Sequence, residues 1–361
     1  NQPKKREEYA KGDKCEALGS MIFAIVWGMA SSIDSMSRDY FSKLLGNEIK
    51  NCFLTLTAFK ETGLILPDFN KESLFDLFYS FESKTWVNYM NLFTGLKIPA
   101  DAKFSEIFIP TKDSIRNNYL MKIMVKQEFP FLLFGKTGTA KTQVIKKLIL
   151  EELDQTKYIP LITVLSANTK REQLQDVLES KLEKQKRAKG IYGPLMGTKN
   201  IIFIDDLNMP NKEKYSAQPP LELIRQAIDE QGWYDRKALE FKTIVDIQFL
   251  AAMGLGRPNI PNRLNRHFTT VQLFEYDEET IKYVFKTILD HGFATMPEKV
   301  KTFTGRIVNI CVQTYKSVCK SFKPLPGKSH YLFNLRDLSK VIQGVLSVSE
   351  AELTDNHVNL V

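Results

Sequence analysis

Histidine and cysteine are scarce in this chain of 361 residues, with four of each. Cys15, Cys52, Cys311 and Cys319 form no CxxC, and none stands at zinc spacing from a histidine. That pattern argues against a structural zinc or a histidine-rich metal centre. So few thiols in this length fit reduced cytosolic cysteines rather than a disulfide framework. Long apolar runs are also missing. Met21 to Ala30 is nearly continuous, but it is too short to span a bilayer and reads as a buried helix. The basic residues before it imitate a signal peptide, yet Glu7, Glu8, Asp13 and Glu16 are interleaved and no small-residue cleavage site follows. Internal repeats, low-complexity segments and sustained heptads are absent, which excludes a long coiled coil. No basic–aromatic patch or helix-turn-helix signal accompanies the net charge of +8 and pI near 9.0. The lysines are spread along the chain, so neither nucleic acid nor membrane is expected as a partner. The chain begins at Asn rather than Met and reads as a piece of something longer.

What is present is the composition of a soluble globular protein, 43% hydrophobic and 25% charged. The length suffices for two or three domains with substantial cores. Residues 1–50 read as helical, with a charged start and an apolar middle. Residues 51–105 carry Phe69, Phe75, Phe78, Tyr79, Phe81, Trp86 and Tyr89 at irregular spacing and read as a connector with hairpins. Residues 106–276 alternate apolar strands with helices, which predicts a parallel sheet covered on both faces. The strands are Phe131 to Phe134, Leu161 to Leu165, Asn200 to Ile204, Asp246 to Met253 and Thr270 to Phe274. Helices are expected between them, notably over Arg171 to Arg187 and Pro220 to Glu230. Residues 277–361 are helical: Asp277 caps the first helix, and others follow over Glu298 to Ser321 and Leu335 to Val348.

The most informative stretch is GKTGTAKT: Gly135, Lys136, Thr137, Gly138, Thr139, Ala140, Lys141 and Thr142. It follows the apolar run Phe131 to Phe134 and opens an amphipathic stretch from Gln143 to Leu153. Strand, glycine loop and helix are the context of a phosphate-binding P-loop. Backbone N–H groups and the helix N-terminus would cradle phosphate oxygens. Lys141 would reach the β- and γ-phosphates, and the Thr142 hydroxyl would ligate Mg²⁺. Ala140 replaces the usual glycine; alanine fits there if the backbone has ordinary helical angles. Downstream, Ile201 to Ile204 runs into Asp205 and Asp206. A buried strand delivering acids to the carboxyl edge of the sheet supplies what a nucleotide-bound metal needs. Asp205 would hold the metal through water, and Asp206 stands where a general base would orient attacking water.

This arrangement resembles an AAA+ ATPase module, a P-loop α/β domain followed by a small helical lid. The strings LLFGKTGTAKT, IYGPLMGTKNIIFIDDLNMP, YSAQPPLELIRQAIDEQGWYDR, VDIQFLAAMG and HYLFNLRDLSKVIQG resemble the third AAA+ module of axonemal dynein heavy chains. FAIVWGMASSID and the Trp86 region resemble the end of the preceding module's lid and the connector into the third. The resemblance implies a regulatory ATP- or ADP-binding module, with Mg²⁺, inside a microtubule motor of the ciliary or flagellar axoneme. Its implied partners are the neighbouring AAA+ modules of the same heavy chain. Intermediate and light chains and microtubules would be reached through the rest of the motor.

Residue by residue, the resemblance makes Gly135 to Thr142 the Walker A loop, with Gln143 beside it, and Asp205 the Walker B metal residue. The family's catalytic acid is glutamate; Asp206 is one methylene shorter. The strand ending at Ala252-Met253-Gly254 lacks the family's polar sensor. Both departures argue for weak hydrolysis beside retained binding. Arg336 resembles the second sensor, reaching from the lid to the γ-phosphate; read alone, it would be a surface salt bridge. Arg263 and Arg266 lie where arginine fingers act in trans on a neighbouring module's nucleotide. Ile109, Pro110 and Thr111 resemble the segment that contacts adenine, and a turn and helix cap explains them equally well. Two other readings stay open. One is a structural ring spacer with little or no turnover, favoured by the departures at Ala140 and Asp206 and by the missing sensor. The other is an AAA+ nucleic-acid remodeller, prompted by the basic pI alone.

Overall fold

The computed structural model describes residues 14–55, 64–69, 72–93, 95–96, 98–99, 104, 107–184, 190–255, 260–294 and 296–348. The helical start expected before Lys14 and the end of the expected helix at Arg187 lie outside these residues. The chain divides into two units. One gathers the chain up to Thr94, Lys112–Gly135 and Lys141–Phe274; the other gathers Gly95–Thr111, Lys136–Ala140 and Glu275 onward.

The first unit opens with helices α1 (Lys14–Met29) and α2 (Ser35–Thr55). The Met21–Ala30 run is a helix with one buried face: Ile22, Val26, Trp27 and Ala30 are buried while Met21 and Met29 are exposed. No helix among the described residues is long and apolar enough to cross a membrane. The Asp34 carboxylate accepts the Ser37 N–H at 2.9 Å and so caps the start of α2. Strands β1 (Leu77–Ser80) and β2 (Thr85–Asn88) form an antiparallel hairpin with Leu77 opposite Asn88. Its aromatics continue into a cluster in which Tyr89 is fully buried, 5.4 Å between ring centroids from Tyr119 of helix α3 (Lys112–Lys126). Arg38 and Arg116 stand 5.7 and 5.8 Å from the Trp27 ring. Arg116 also pairs with Asp113 and Asp76; such cation–π contacts help a buried guanidinium offset its lost hydration.

The main sheet holds five strands: β3 (Phe131–Gly135), β4 (Tyr158–Val164), β7 (Lys199–Asp205), β10 (Ile247–Gly254) and β11 (Thr269–Leu273). They lie in the order β11-β3-β10-β7-β4, and all pairs are parallel. Continuous apolar runs such as Ile201–Ile204 are what a strand buried on both faces requires, and these four residues are buried. The register puts Gly254 opposite Gly135 and Ala251 opposite Ile204. The carboxyl ends of β3, β7 and β10 therefore share one edge. At the outer edge, the Gln272 N–H of β11 donates to the Ser31 carbonyl at 3.1 Å, and Arg38 donates to the same carbonyl at 2.7 Å. The N-terminal helices thus cover a strand edge that would otherwise be open.

Two expectations need correction. The charged stretch from Arg171 is helical only as far as Glu179 (α5). Glu179 then turns inward, accepting from Trp233 Nε1 at 2.7 Å and Lys242 Nζ at 3.0 Å. The chain continues instead into a second sheet of short strands: β5 (Glu183–Lys184), β6 (Ile191–Gly193), β8 (Gly232–Tyr234) and β9 (Phe241–Ile244), ordered β5-β6-β9-β8. The amphipathic stretch after the glycine loop is α-helical only over α4 (Lys141–Lys147); it widens to a π turn over Leu148–Glu152. Helix α6 (Pro219–Asp229) starts on its proline pair, where a missing N–H is harmless. A single turn, α7 (Asn262–Asn265), precedes β11.

The second unit is helical: α8 (Glu278–Gly292), α9 (Glu298–Ser321) and α10 (Leu335–Val345). Its core is Ile281, Phe285, Leu289, Val308, Val312 and Ile342, joined by Ile109. Asp277 caps α8 as expected, accepting the Thr280 N–H at 2.9 Å. Asn334 and Asp337 cap α10 reciprocally, and the helix stops at Val345 rather than Val348.

Candidate nucleotide-binding site

Strand β3 delivers Gly135 to the carboxyl edge, and Lys141 opens α4. The Lys141 ammonium folds back and donates to the Gly135 carbonyl at 2.9 Å, a carbonyl that also accepts the Leu255 N–H at 3.1 Å. Burial lowers the Lys141 pKa; the nearby Asp205 and Asp206 carboxylates oppose that shift. A partly desolvated ammonium beside an open loop is poised to gain from an anion. Thr142 Oγ1 donates to Asp205 Oδ2 at 2.8 Å, and Asp205 Oδ1 accepts the Asp206 N–H at 3.0 Å. P-loop and strand-end acid are therefore already in contact. A hydroxyl and a carboxylate side by side, with an ammonium on the same edge, form a hard-oxygen donor set that suits Mg²⁺ and phosphate. Among the described residues no cluster of histidine, cysteine and carboxylate side chains could hold a metal by itself. The metal expected here would depend on phosphate oxygens for part of its shell.

Ala140 corrects an expectation. Its φ is +56°, in the left-handed region, not the helical one. There the Cβ crowds a carbonyl, at a cost of about 1–2 kcal/mol. The loop thus keeps the backbone shape of a glycine with an alanine in place. Gly138 also has a positive φ, +90°. Asp206 has φ +53°, and its carbonyl accepts the Met209 N–H at 2.9 Å, so the chain turns sharply as it leaves β7. Aspartate tolerates that conformation better than most side chains.

The structure brings Gly135, Lys141, Thr142, Asp205 and Asp206 together in the first unit, and Gln143 is exposed on the first turn of α4. Lys136 to Ala140 group with the second unit. Within it, exposed Lys136 pairs with Glu275 at 3.1 Å, Thr137 is exposed, and Thr139 Oγ1 donates to the Lys136 carbonyl at 2.9 Å. A Cβ on Gly138 would lie 3.4 Å from the Leu335 nitrogen, at the start of α10. Arg336 is exposed on that first turn. Ile109 is buried in the helical core and Thr111 is buried with it, while Pro110 is half-buried, so packing explains part of this trio. Arg263 pairs with Glu222 at 2.9 Å and Arg266 with Asp229 at 3.0 Å, both side chains remaining mostly exposed.

One residue escaped the sequence reading. Asn208, in the turn after Asp206, is buried and donates to the Gly254 carbonyl at 3.0 Å, and its Oδ1 has no partner among the described residues. It places an amide at the end of β10, the strand whose own tip has no polar side chain. The asparagine within IIFIDDLNMP was the available signal.

Residues 96–276 match the family model for the P-loop containing dynein motor region. Residues 4–91 match a dynein heavy chain AAA lid domain, and residues 284–361 a dynein heavy chain ATPase lid domain. Human dynein axonemal heavy chain 1 is 38% identical over 357 residues, covering 92% of this chain and 8% of its own length. Human dynein axonemal heavy chain 3 is 35% identical over 349 residues, covering 93% of this chain and 8% of its own. Human dynein axonemal heavy chain 12 is 35% identical over 353 residues, covering 93% and 11%. The chain spans about a tenth of the length of these relatives.

Proposed function

The chain belongs to the dynein heavy chain family, and on that premise we propose that it is a regulatory AAA+ module of an axonemal motor, the third in its ring. It binds ATP or ADP with Mg²⁺ and converts the state of that nucleotide into a change of lid angle. The observation that carries this reading is the contact between Thr142 and Asp205 beside the Lys141 ammonium. Packing alone requires no such set. Mg²⁺, when present, would neutralise charge on the phosphates. Thr142 and Asp205 would hold it, Lys141 would hold the phosphate oxygens, and the loop's N–H groups would orient them. Arg336 would contact the γ-phosphate, Ile109, Pro110 and Thr111 would border the base, and Arg263 and Arg266 would serve a neighbouring module. ATP and ADP make different contacts, so their exchange biases the lid. Through the rest of the heavy chain, that bias would reach neighbouring modules and microtubule affinity in the axoneme.

Two observations favour the second reading, a ring spacer with little turnover. Ala140 holds a strained angle, and Asp206 is short for a catalytic acid. Fluorophores placed on each unit distinguish the readings. A separation that differs between ATP and ADP supports the regulatory module; one that is the same with ATP, with ADP and without nucleotide leaves the spacer.

A further inference from the structure

The second unit carries a groove of about 400 Å³ on its outer surface, between α8 and α9. Lys282, Tyr283 and Lys286 line it from α8; Gly305, Arg306 and Val308 line it from α9. Its floor is mainly apolar, formed by the Tyr283 ring, the Val308 side chain and the stems of the cations, and its rim is basic. Lys282 is paired with Glu278 at 2.7 Å, whereas Lys286 and Arg306 have no carboxylate partner among the described residues.

Gly305 is the unusual member. Glycine is the poorest helix former after proline, yet this one lies well inside the 24-residue helix α9. Gly28 and Gly344, each the last residue but one of its helix, also have open space; the two other glycines well inside a described helix are explained by their neighbours. A Cβ on Gly19 would lie 2.6 Å from the Tyr79 ring, and one on Gly46 would lie 2.5 Å from the Phe69 ring. Each glycine is a seat for an aromatic side chain of this chain. A Cβ on Gly305 would meet nothing within 4 Å. The glycine opens the floor of the groove, and among the described residues nothing fills the space a Cβ there would take.

We propose that this groove is a docking site for an acidic polypeptide segment whose aromatic side chain seats on Gly305. The aromatic ring would lie against bare helix backbone between Tyr283 and Val308, as Tyr79 lies against Gly19. Flanking carboxylates would meet Lys286 and Arg306 at the rim, where complementary charge speeds encounter and selects partners. A buried aromatic anchor within a charged rim is the usual division of labour in such a site. All of these residues belong to the second unit, so the groove can take its ligand whether or not the P-loop takes nucleotide.

The test is fluorescence anisotropy with a short labelled peptide of glutamates around one tryptophan, titrated with the full chain. Saturable binding is expected. It should weaken roughly tenfold or more when the peptide's tryptophan becomes alanine, when Gly305→Leu fills the seat, and when Lys286→Glu with Arg306→Glu reverses the rim. Leucine is a good helix former, so Gly305→Leu should melt no lower than the parent. Should it fail to fold, the surface reversal at Lys286 and Arg306 still decides the matter. Absence of peptide binding overturns the proposal, as does equal binding by the alanine peptide or by the variants. Single-stranded DNA that displaces the peptide and itself binds more tightly would overturn it in favour of a polyanion site.

Discussion

Ala140 and Asp206 share a property that is invisible in one-dimensional sequence: both hold a left-handed backbone angle. For Ala140 the consequence is strain next to the phosphate cradle. Ala140→Gly relieves it but adds chain entropy to the unfolded state, so a net gain of up to about 1 kcal/mol is expected. Chemical denaturation measures that gain, and nucleotide affinity should rise or hold. A loss of stability would mean that the left-handed angle at this residue is wrong. For Asp206 the same geometry suits the shorter acid, since glutamate tolerates a positive φ less well. Asp206→Glu is expected to lower stability by about 1 kcal/mol while raising turnover by up to ~100-fold, through a better-placed carboxylate. Steady-state phosphate release beside a melting curve reads both. Higher turnover without loss of stability would contradict the strain argument; unchanged turnover would contradict the length argument. Lys141 and Thr142 stood out as P-loop positions and Asp205 as the acid ending an apolar strand; the structure brings the three to one edge. The angle at residue 140 could not be picked out, because a residue type does not dictate φ.

Elements were legible where burial simplifies the pattern. The inner strands β3, β7 and β10 are largely buried, so their sequences are nearly plain apolar runs and the expected limits fall within a residue of the observed ones; the edge strand β4 is only partly buried and starts three residues before the expected Leu161. The second sheet was missed because its strands are two to four residues long, too short for alternation to register. The charges after Arg171 suggested one solvated helix, yet Glu179 is spent on Trp233 and Lys242. In the helical unit, Glu278 joins α8 to α9. Its carboxylate is held by Lys282 on its own helix and by Lys316 on the next, which pull its pKa down from 4.5 to about 2. A carboxylate depressed in the folded state stabilises above its unfolded pKa and loses that contribution as pH falls. Glu278→Gln should therefore melt lower than the parent above pH 4.5, with the difference closing as pH falls toward about 2. A difference independent of pH would mean that the ion pairs contribute nothing.

In the whole molecule, matches to dynein heavy chain models cover the N-terminal helices, the P-loop region and the helical second unit. The sheet register alone brings Gly135 and Gly254 together, and with them the carboxyl end of β7. The two motifs placed Thr142 and Asp205 about one metal; that they hydrogen-bond directly comes from the fold. The central claim is that this edge binds nucleotide through Lys141. The decisive measurement is a titration of the 361-residue chain with labelled ATP and ADP in Mg²⁺, beside Lys141→Ala. Gly135's carbonyl keeps the Leu255 N–H in that variant, and a partly desolvated ammonium is removed, so the fold should survive. The account predicts saturable binding by the parent, with stabilisation of about 2.7 kcal/mol at a hundredfold excess over Kd, and loss of both in the variant. A folded parent that binds neither nucleotide, or a variant that binds as well as the parent, would contradict it.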